Sequence, residues 1–410
     1  MSQLPLTLKP DTMRGKTVLF RADLNVPMQD GKVTDTTRIE RITDSITALA
    51  DHGAKVIVLS HYGRPKGKIV PEMSLAPVAE ALSVALRRPV RFIADVIGVE
   101  ASKAKAELND GDIIMLENLR FEAGEEANDS DFARTLAKGV DIYVNDAFSC
   151  SHRAHASTEA ITAFLPSYAG ALMMAELSAL DQALGQPRRP VAAIVGGAKV
   201  STKLDLLRNL ITKVDMLIVG GGMANTFLLA EGHDIGSSLV ESDMIDTATA
   251  IRKEAAAIGC RFILPQDGVV ATAFAAHAPN RLVRFADGNI AENEMILDAG
   301  HDAVATISAA IDECQTLIWN GPMGAFEMEP FDQATTALAR HVAKRTDEGA
   351  LISVAGGGDT IAALNHAQVL NHFSYVSTAG GAFLEWLEGR TLPGVAALMA
   401  NHDHKGIPMG

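Results

Sequence analysis

The chain has 410 residues, of which 48% are hydrophobic and 21% charged, with a formal net charge of −14. That length exceeds one compact domain and calls for two of about 150–200 residues each, and the apolar fraction excludes a largely disordered chain. So acidic a surface excludes nucleic acid and anionic membranes as broad partners.

At the N-terminus, MSQLPLTLKP has no apolar core of the kind a signal peptide needs. No apolar run approaches the ~20 residues of a spanning helix, so a cytoplasmic protein is expected. Short apolar runs then read as strands at Thr17–Phe20, Lys55–Ser60, Val90–Ile93, Asp112–Leu116 and Asp141–Val144. Between them, Thr37–His52 (with Ile39, Ile42, Ile46 and Leu49) and Leu75–Leu86 carry the helical period. This alternation predicts βαβ units and a parallel sheet.

Ala171–Leu184 reads as one helix, with Leu172, Ala175, Leu177, Leu180 and Leu184 as its apolar stripe, stopped by Gly185–Pro190. A second series of strands follows at Val191–Val195, Met216–Val219, Arg261–Leu264, Thr316–Trp319, Leu351–Val354 and Ser374–Val376. The predicted fold is α/β: two doubly wound parallel-sheet (Rossmann-like) domains, 1–170 and 191–390, joined by a hinge helix and linker at 171–190. The charge differs between the halves. Residues 1–170 hold 20 basic and 23 acidic side chains, and the remainder 16 and 27.

In open α/β sheets, ligands bind beyond the carboxyl ends of the strands. Those ends in the first half place Asp23, Asn25, His61, Arg64 and Arg120, with Arg38, His152, Arg153 and His155 nearby in sequence. Arginine forks clamp phosphate or carboxylate, so the set predicts a small-anion site. His152 and His155 have a metal-like spacing, but no cysteine or carboxylate pattern accompanies them and Arg153 would repel a cation. In the second half the strand ends are glycine-rich: Gly196-Gly197-Ala198-Lys199, Gly220–Thr226, Asn320–Gly324 and Gly356-Gly357-Gly358-Asp359-Thr360. Glycine amides leading into a helix N-terminus suit phosphate. Asp359 could cap that helix or reach magnesium, and Lys199 and Lys203, four apart, are expected on one helical face. Neither G-x-G-x-x-G nor a complete Walker A occurs, because Asn225 stands at the third glycine and Pro10 at the first P-loop glycine. Cys150, Cys260 and Cys314 are too few and too scattered for a disulfide framework or zinc site and are expected to be buried and inert. The tail Asn401-His402-Asp403-His404 reads as a solvated terminus.

The motifs RADLNVP (21–27), SHYGRP (60–65), PEMSLAP (71–77), LENLRF (116–121), NDAF (145–148), HRAHAS (152–157), GGAKVSTK (196–203), GGGMANTF (220–227), WNGPMGAFE (319–327) and GGGDT (356–360) occur in this order. With them the chain resembles the phosphoglycerate kinase family. The resemblance runs from about residue 7 to residue 395 and implies reversible transfer between 1,3-bisphosphoglycerate plus ADP and 3-phosphoglycerate plus ATP, with Mg2+ on the nucleotide. It also implies a monomer whose domains close about a hinge, with 1–170 taking 3-phosphoglycerate, 191–390 taking nucleotide and 391–410 packing back on the first domain.

By the same resemblance, Asp23, Asn25, Arg38, His61, Tyr62, Gly63, Arg64, Arg120 and Arg153 would hold the triose. Gly197, Ala198, Lys199, Lys203, Gly221, Gly222, Leu239, Leu297, Asn320, Pro322, Glu327, Gly356, Gly357, Gly358, Asp359 and Thr360 would line the nucleotide site, with Glu327 on the ribose hydroxyls and Asp359 on the metal. Arg38, Lys199, Gly357 and Gly358 are the catalytic candidates, since an ionised carboxylate nucleophile needs charge neutralisation and positioning, not a base. The chain departs from the family pattern at Tyr62, at Ser149-Cys150-Ser151, at Ala379 and at Phe383. The rival readings are a two-lobed anion-binding protein without catalysis and a sugar or acetate kinase. The latter would lack the HRAHAS and GGAKVSTK pair.

Overall fold

A computed structural model describes residues 4–401. The chain divides into two compact units, Met1–Ser178 with Thr391–Gly410, and Ala179–Arg390. The predicted tail residues His402, Asp403 and His404 lie outside the described residues.

The first unit is built on strands β1 (Thr17–Arg21), β4 (Lys55–Leu59), β5 (Arg91–Ile93), β6 (Ile113–Leu116), β7 (Ile142–Asn145) and β8 (Ser167–Ala169). They form one parallel sheet in the order β5-β6-β4-β1-β7-β8. Its central strands are buried along their lengths, as helices covering both faces of a parallel sheet require, and they therefore read as unbroken apolar runs. Helix Thr37–Asp51 turns Ile39, Ile42, Ile46 and Leu49 into that core. Each such fully buried side chain contributes roughly 1.5–3 kcal/mol. Two elements were not legible in the sequence. Met28–Gln29 (β2) and Lys32–Val33 (β3) form a hairpin whose turn residues, Asp30 and Gly31, both take positive φ, 50° and 71°. This is the twist-matched turn that Asp-Gly favours. Strand β8, with the polar sequence SYA, joins the edge by pairing with β7.

The C-terminal helix Pro393–Ala400 belongs to the first unit and packs beside β8. The Gly394 N–H donates to the Ser151 carbonyl at 2.9 Å, and the Asn401 side chain bonds Thr162 O and the Ser167 N–H.

The second unit holds β9 (Val191–Val195), β10 (Met216–Val219), β11 (Arg261–Ile263), β15 (Thr316–Asn320), β16 (Ile352–Gly356) and β17 (Tyr375–Ser377). They form a second parallel sheet, ordered β11-β10-β9-β15-β16-β17. Both sheets thus agree with the expected α/β doubly wound class. A separate antiparallel sheet, β13-β12-β14, was not expected; its strands are β12 (Asp267–Ala271), β13 (Asn280–Arg284) and β14 (Met295–Ala299). β13 buries only Val283, so it carries almost no hydrophobic period to read.

The expected single helix over Ala171–Leu184 is α-helical only over Ala171–Leu180 and widens into a π-type turn at Asp181–Gly185. Likewise Ser201–Lys203 is a short 3-10 turn, and the α-helix begins at Leu204. Lys199 therefore precedes the helix and does not share a helical face with Lys203, because the 3-10 turn at Ser201–Lys203 intervenes.

Candidate active site

In the first unit the strand order reverses beside β1, where chain segments leave toward β4 on one side and β7 on the other. Topology of this kind opens a crevice at the carboxyl ends. A cleft of about 530 Å3 lies there, lined by Asn25, Val26, Pro27, Asp35, Arg38, Tyr62, Gly63 and Met73. Arg38 pairs with Asp23 at 2.6 Å, and the Ser149 hydroxyl donates to the same carboxylate oxygen. The Gly63 N–H donates to Asn25 Oδ1 at 3.1 Å, and Arg120 Nη1 donates to Gly63 O at 2.7 Å. Arg120 also pairs with Glu126 at 3.3 Å. Arg64 is exposed, while Arg153 is half-buried with its Nε directed to His152 Nε2 at 3.1 Å.

His61 is buried, and its Nδ1 faces Arg21 Nη2 at 3.1 Å. A guanidinium only donates, so Nδ1 is the acceptor and the proton of the neutral ring sits on Nε2. Burial, then the charges of Arg21, Arg120 and Arg153, hold the His61 pKa well below its usual value. Burial and the same arginines push His155 down to about 4. Both rings are therefore neutral at pH 7 in a field of guanidinium groups, which is the electrostatics of an anion site. Asp23, His61 and Cys150 also lie close enough to offer three ligand atoms to one cation. Arg38 on Asp23 and Arg21 on His61 occupy two of those groups with positive charge and oppose a metal there.

Sequence reading left Arg21 out of the site. It is 1% exposed and bonds Ser157 Oγ at 3.0 Å, and Ser157 in turn donates to the buried Glu125 at 2.6 Å. This chain ties the end of β1 to the HRAHAS loop. The signals of Arg21 in the sequence are its place as the first residue of the RADLNVP motif and a charged side chain closing the run that forms β1.

In the second unit the order reverses between β9 and β15. Lys203 Nζ donates there to Gly196 O at 2.6 Å and to Asn320 Oδ1 at 2.7 Å, and Asn320 Nδ2 donates to Gly356 O at 2.7 Å. Thr360 Oγ1 accepts from the Gly321 N–H at 2.7 Å and donates to Gly356 O. A Cβ on Gly196 would sit 1.8 Å from Pro322 O, so only glycine lets these strand ends approach. Gly357 takes φ 101° and turns the chain into helix Gly358–His366, where a Cβ added at Gly358 would meet nothing within 4 Å.

A cavity of about 600 Å3 adjoins this network. Gly197, Ala198, Gly221, Gly222, Leu239, Leu297, Pro322, Glu327 and Asp359 line it. Lys199 is exposed, and Asn320, Gly356, Gly357 and Thr360 are buried behind the wall. Desolvation lowers the Lys203 pKa to about 8 against the pull of Asp359. Phe274 and Met295 also line the cavity. They come from the segment around the antiparallel sheet, where sequence reading found no element. Phe383, one of the departures from the family pattern, is fully buried, with its ring where a Gly356 side chain would stand. It packs against Gly356, whereas the space beside Gly358 is open.

The sequence model of the family described as "Phosphoglycerate kinase" matches residues 8–390. The chain belongs to the phosphoglycerate kinase family. It is 59% identical over 389 residues to the phosphoglycerate kinase of Methylobacterium radiotolerans, covering 95% of this chain and 97% of that one. It is equally 59% identical over 384 residues to that of Sinorhizobium fredii, covering 94% and 96%. The solved phosphoglycerate kinase of Coxiella burnetii has a TM-score of 0.89 at 44% identity, covering 95% of this chain and 97% of that one. That of Pyrococcus horikoshii has 0.79 at 30%, covering 97% and 99%. The chain is thus an enzyme with phosphoglycerate kinase activity, a phosphotransferase, and the non-catalytic reading is set aside.

Among the described residues, no helix is long and apolar enough to cross a membrane. The three cysteines are buried and free. Burial raises all three thiols, Cys260 and Cys314 to about 11, which leaves them protonated and unreactive.

Proposed function

We propose a division of labour in which the first unit holds 3-phosphoglycerate and the second holds the adenine nucleotide. One contrast supports it: guanidinium groups and neutral imidazoles converge at the strand ends of the first unit, and glycine amides, Lys203 and an apolar cavity converge at those of the second. In this reading Asn25, Arg38, Tyr62 and Gly63 line the triose cleft, Asp23 and Arg120 orient it, and His61, Arg64 and Arg153 add donors to the anion. Gly221, Gly222, Leu239, Leu297 and Pro322 flank the base, and Glu327, exposed at the mouth, takes the ribose hydroxyls.

The nucleophile is a carboxylate already ionised at pH 7, so no proton has to be moved and the neutral histidines have no base to supply. The difficulty is the approach of one anion to another. Arg38 and Lys199 neutralise the transferring phosphoryl group, and the amides after Gly357 and Gly358 receive its oxygens. Asp359 is the fitting magnesium carboxylate: it is exposed in the first turn of a helix, and it makes no hydrogen bond or ion pair among the described residues. Mg2+ commonly takes one or two carboxylates with phosphate oxygens, and it would neutralise charge on the nucleotide phosphates. The chain passes between the units twice, at Ser178–Ala179 and at Arg390–Thr391, and we assign segment 171–190, which holds the first crossing, as the hinge. A monomer in the cytoplasm completes the reading, and a light-scattering mass near 43.4 kDa tests the first of these.

The decisive experiment is calorimetric titration of Arg153→Ala and Lys203→Ala. The first should lose 3-phosphoglycerate and keep ADP, and the second the reverse. If both variants lost the same ligand, the division would be wrong.

A further inference from the structure

The LENLRF motif carries two side chains, Glu117 and Asn118, that the site as described does not use. Asn118 is fully buried. Its Nδ2 donates to Tyr62 O at 2.8 Å and to Met73 O at 2.9 Å, and its Oδ1 accepts the Tyr62 N–H and the Arg120 N–H, each at 3.1 Å. An amide side chain has two donors and two acceptor lone pairs, so every bond it can make is made. Three of the four go to Tyr62 and Met73, which line the triose cleft, and the fourth to the backbone of Arg120, whose guanidinium holds Gly63 O. Glu117 supports the arrangement by accepting the Asn118 N–H at 2.7 Å, the Leu75 N–H at 2.9 Å and the Ser74 hydroxyl at 2.7 Å.

We propose that Asn118 is a positioning residue of the triose cleft, setting the spacing of the His61–Gly63 turn, Met73 and Arg120 before substrate arrives. Asn118 itself touches no substrate in this account. β4 and β6 are adjacent strands whose ladder ends at Val58 and Met115, and beyond it the two chain ends are joined by backbone bonds from Leu119 N–H to Ser60 O at 3.2 Å and from Gly67 N–H to Arg120 O at 3.1 Å, neither of which reaches Tyr62. The side-chain amide adds the rung at Tyr62: it pairs with both the N–H and the C=O of that residue, as a strand neighbour would. A fully satisfied buried amide is rigid, because any shift leaves a polar group unpaired in a dry site. The inference rests on the proposed triose assignment of this unit.

The test is steady-state kinetics on Asn118→Asp, which keeps shape and acceptors but deletes both donors, beside Arg120→Ala and the core variant Leu82→Ala. Expected for Asn118→Asp is a fall in kcat/KM for 3-phosphoglycerate on the order of tenfold or more, with the nucleotide KM held within about twofold. The defect should be smaller at pH 6 than at pH 8, because a protonated carboxyl regains one donor. Leu82→Ala should lower the melting temperature without that split. If Arg120→Ala weakens the triose and Asn118→Asp does not, Asn118 has no positioning role. If Arg120→Ala leaves the triose unaffected, the triose assignment falls with it. Should the Asn118 variant not fold, hydrogen exchange on the unaltered chain gives the answer. The Tyr62 and Arg120 amides should be protected already without triose, and free exchange there would overturn the proposal.

Discussion

Lys203 and Asn320 meet across the point where the second sheet reverses its order, with Nζ donating to Oδ1 at 2.7 Å. The contact joins the segment after β9 to the end of β15, and it holds a cation against the glycine turn with no carboxylate in direct contact among the described residues. Replacing Lys203 by Met keeps the stem and deletes the charge. ADP binding should weaken by roughly 1.5–3 kcal/mol, read by calorimetry, with 3-phosphoglycerate binding unchanged.

The same lysine predicts a pH dependence. Its pKa is lowered to about 8, so in the free enzyme the ammonium is lost as pH rises from 7 to 9. The kcat/KM for ADP should fall across that window, and the fall should vanish in Lys203→Met. For stability the sign is opposite. Between about 8 and the unfolded value of 10.5 the unfolded chain binds more protons, so this group favours the folded state increasingly as pH rises.

Asp298 gives a second linkage. It is buried, accepts from the Ala299 and Ala334 N–H groups, and burial raises its pKa to about 8. A raised carboxyl contributes stability that is present below its unfolded pKa and lost as pH climbs through the folded one. Asp298→Asn should therefore flatten the loss of melting temperature between about pH 4 and pH 8. An unchanged slope would contradict the assignment.

Arg38→Ala should lower kcat by about 10²–10³, some 2.7–4 kcal/mol, if it stabilises the transferring group. A rise in the triose KM with kcat preserved would instead reduce Arg38 to a ground-state clamp.

Gly196→Ala should destabilise the second unit, because the new methyl would stand 1.8 Å from the Pro322 carbonyl oxygen and backbone must shift to admit it. Overpacking of this kind costs about 1–3 kcal/mol, measurable as a lower melting temperature. Gly358→Ala, with open space around it, should be tolerated.

Most sheet strands were legible because a strand covered on both faces must be apolar throughout. Val191–Val195 and Met216–Val219 were read with the bounds the structure shows. β8 and β13 were not legible, because SYA and NRLVR carry too little apolar signal to outweigh their polarity. The candidate site divides in the same way. Residue types with an obvious ligand chemistry, such as Arg38, Arg120, Lys203 and Asp359, announce themselves in one dimension. Arg21, Asn118 and Phe274 do not, because their roles depend on which distant segment lies against them.

The order of the chain alone determined the α/β class, the two-part organisation and, through its motifs, the family. All three follow from local periodicity and short contiguous runs. Tertiary structure alone decided that Arg21 reaches Ser157 across 136 residues, that the proton of His61 sits on Nε2, and that Asn118 supplies the pairing of Tyr62 beyond the ladder of β4 and β6. Those outcomes depend on burial and on the partner brought against each polar group. Neither quantity is carried by any single stretch of sequence, because each is a property of the closed core.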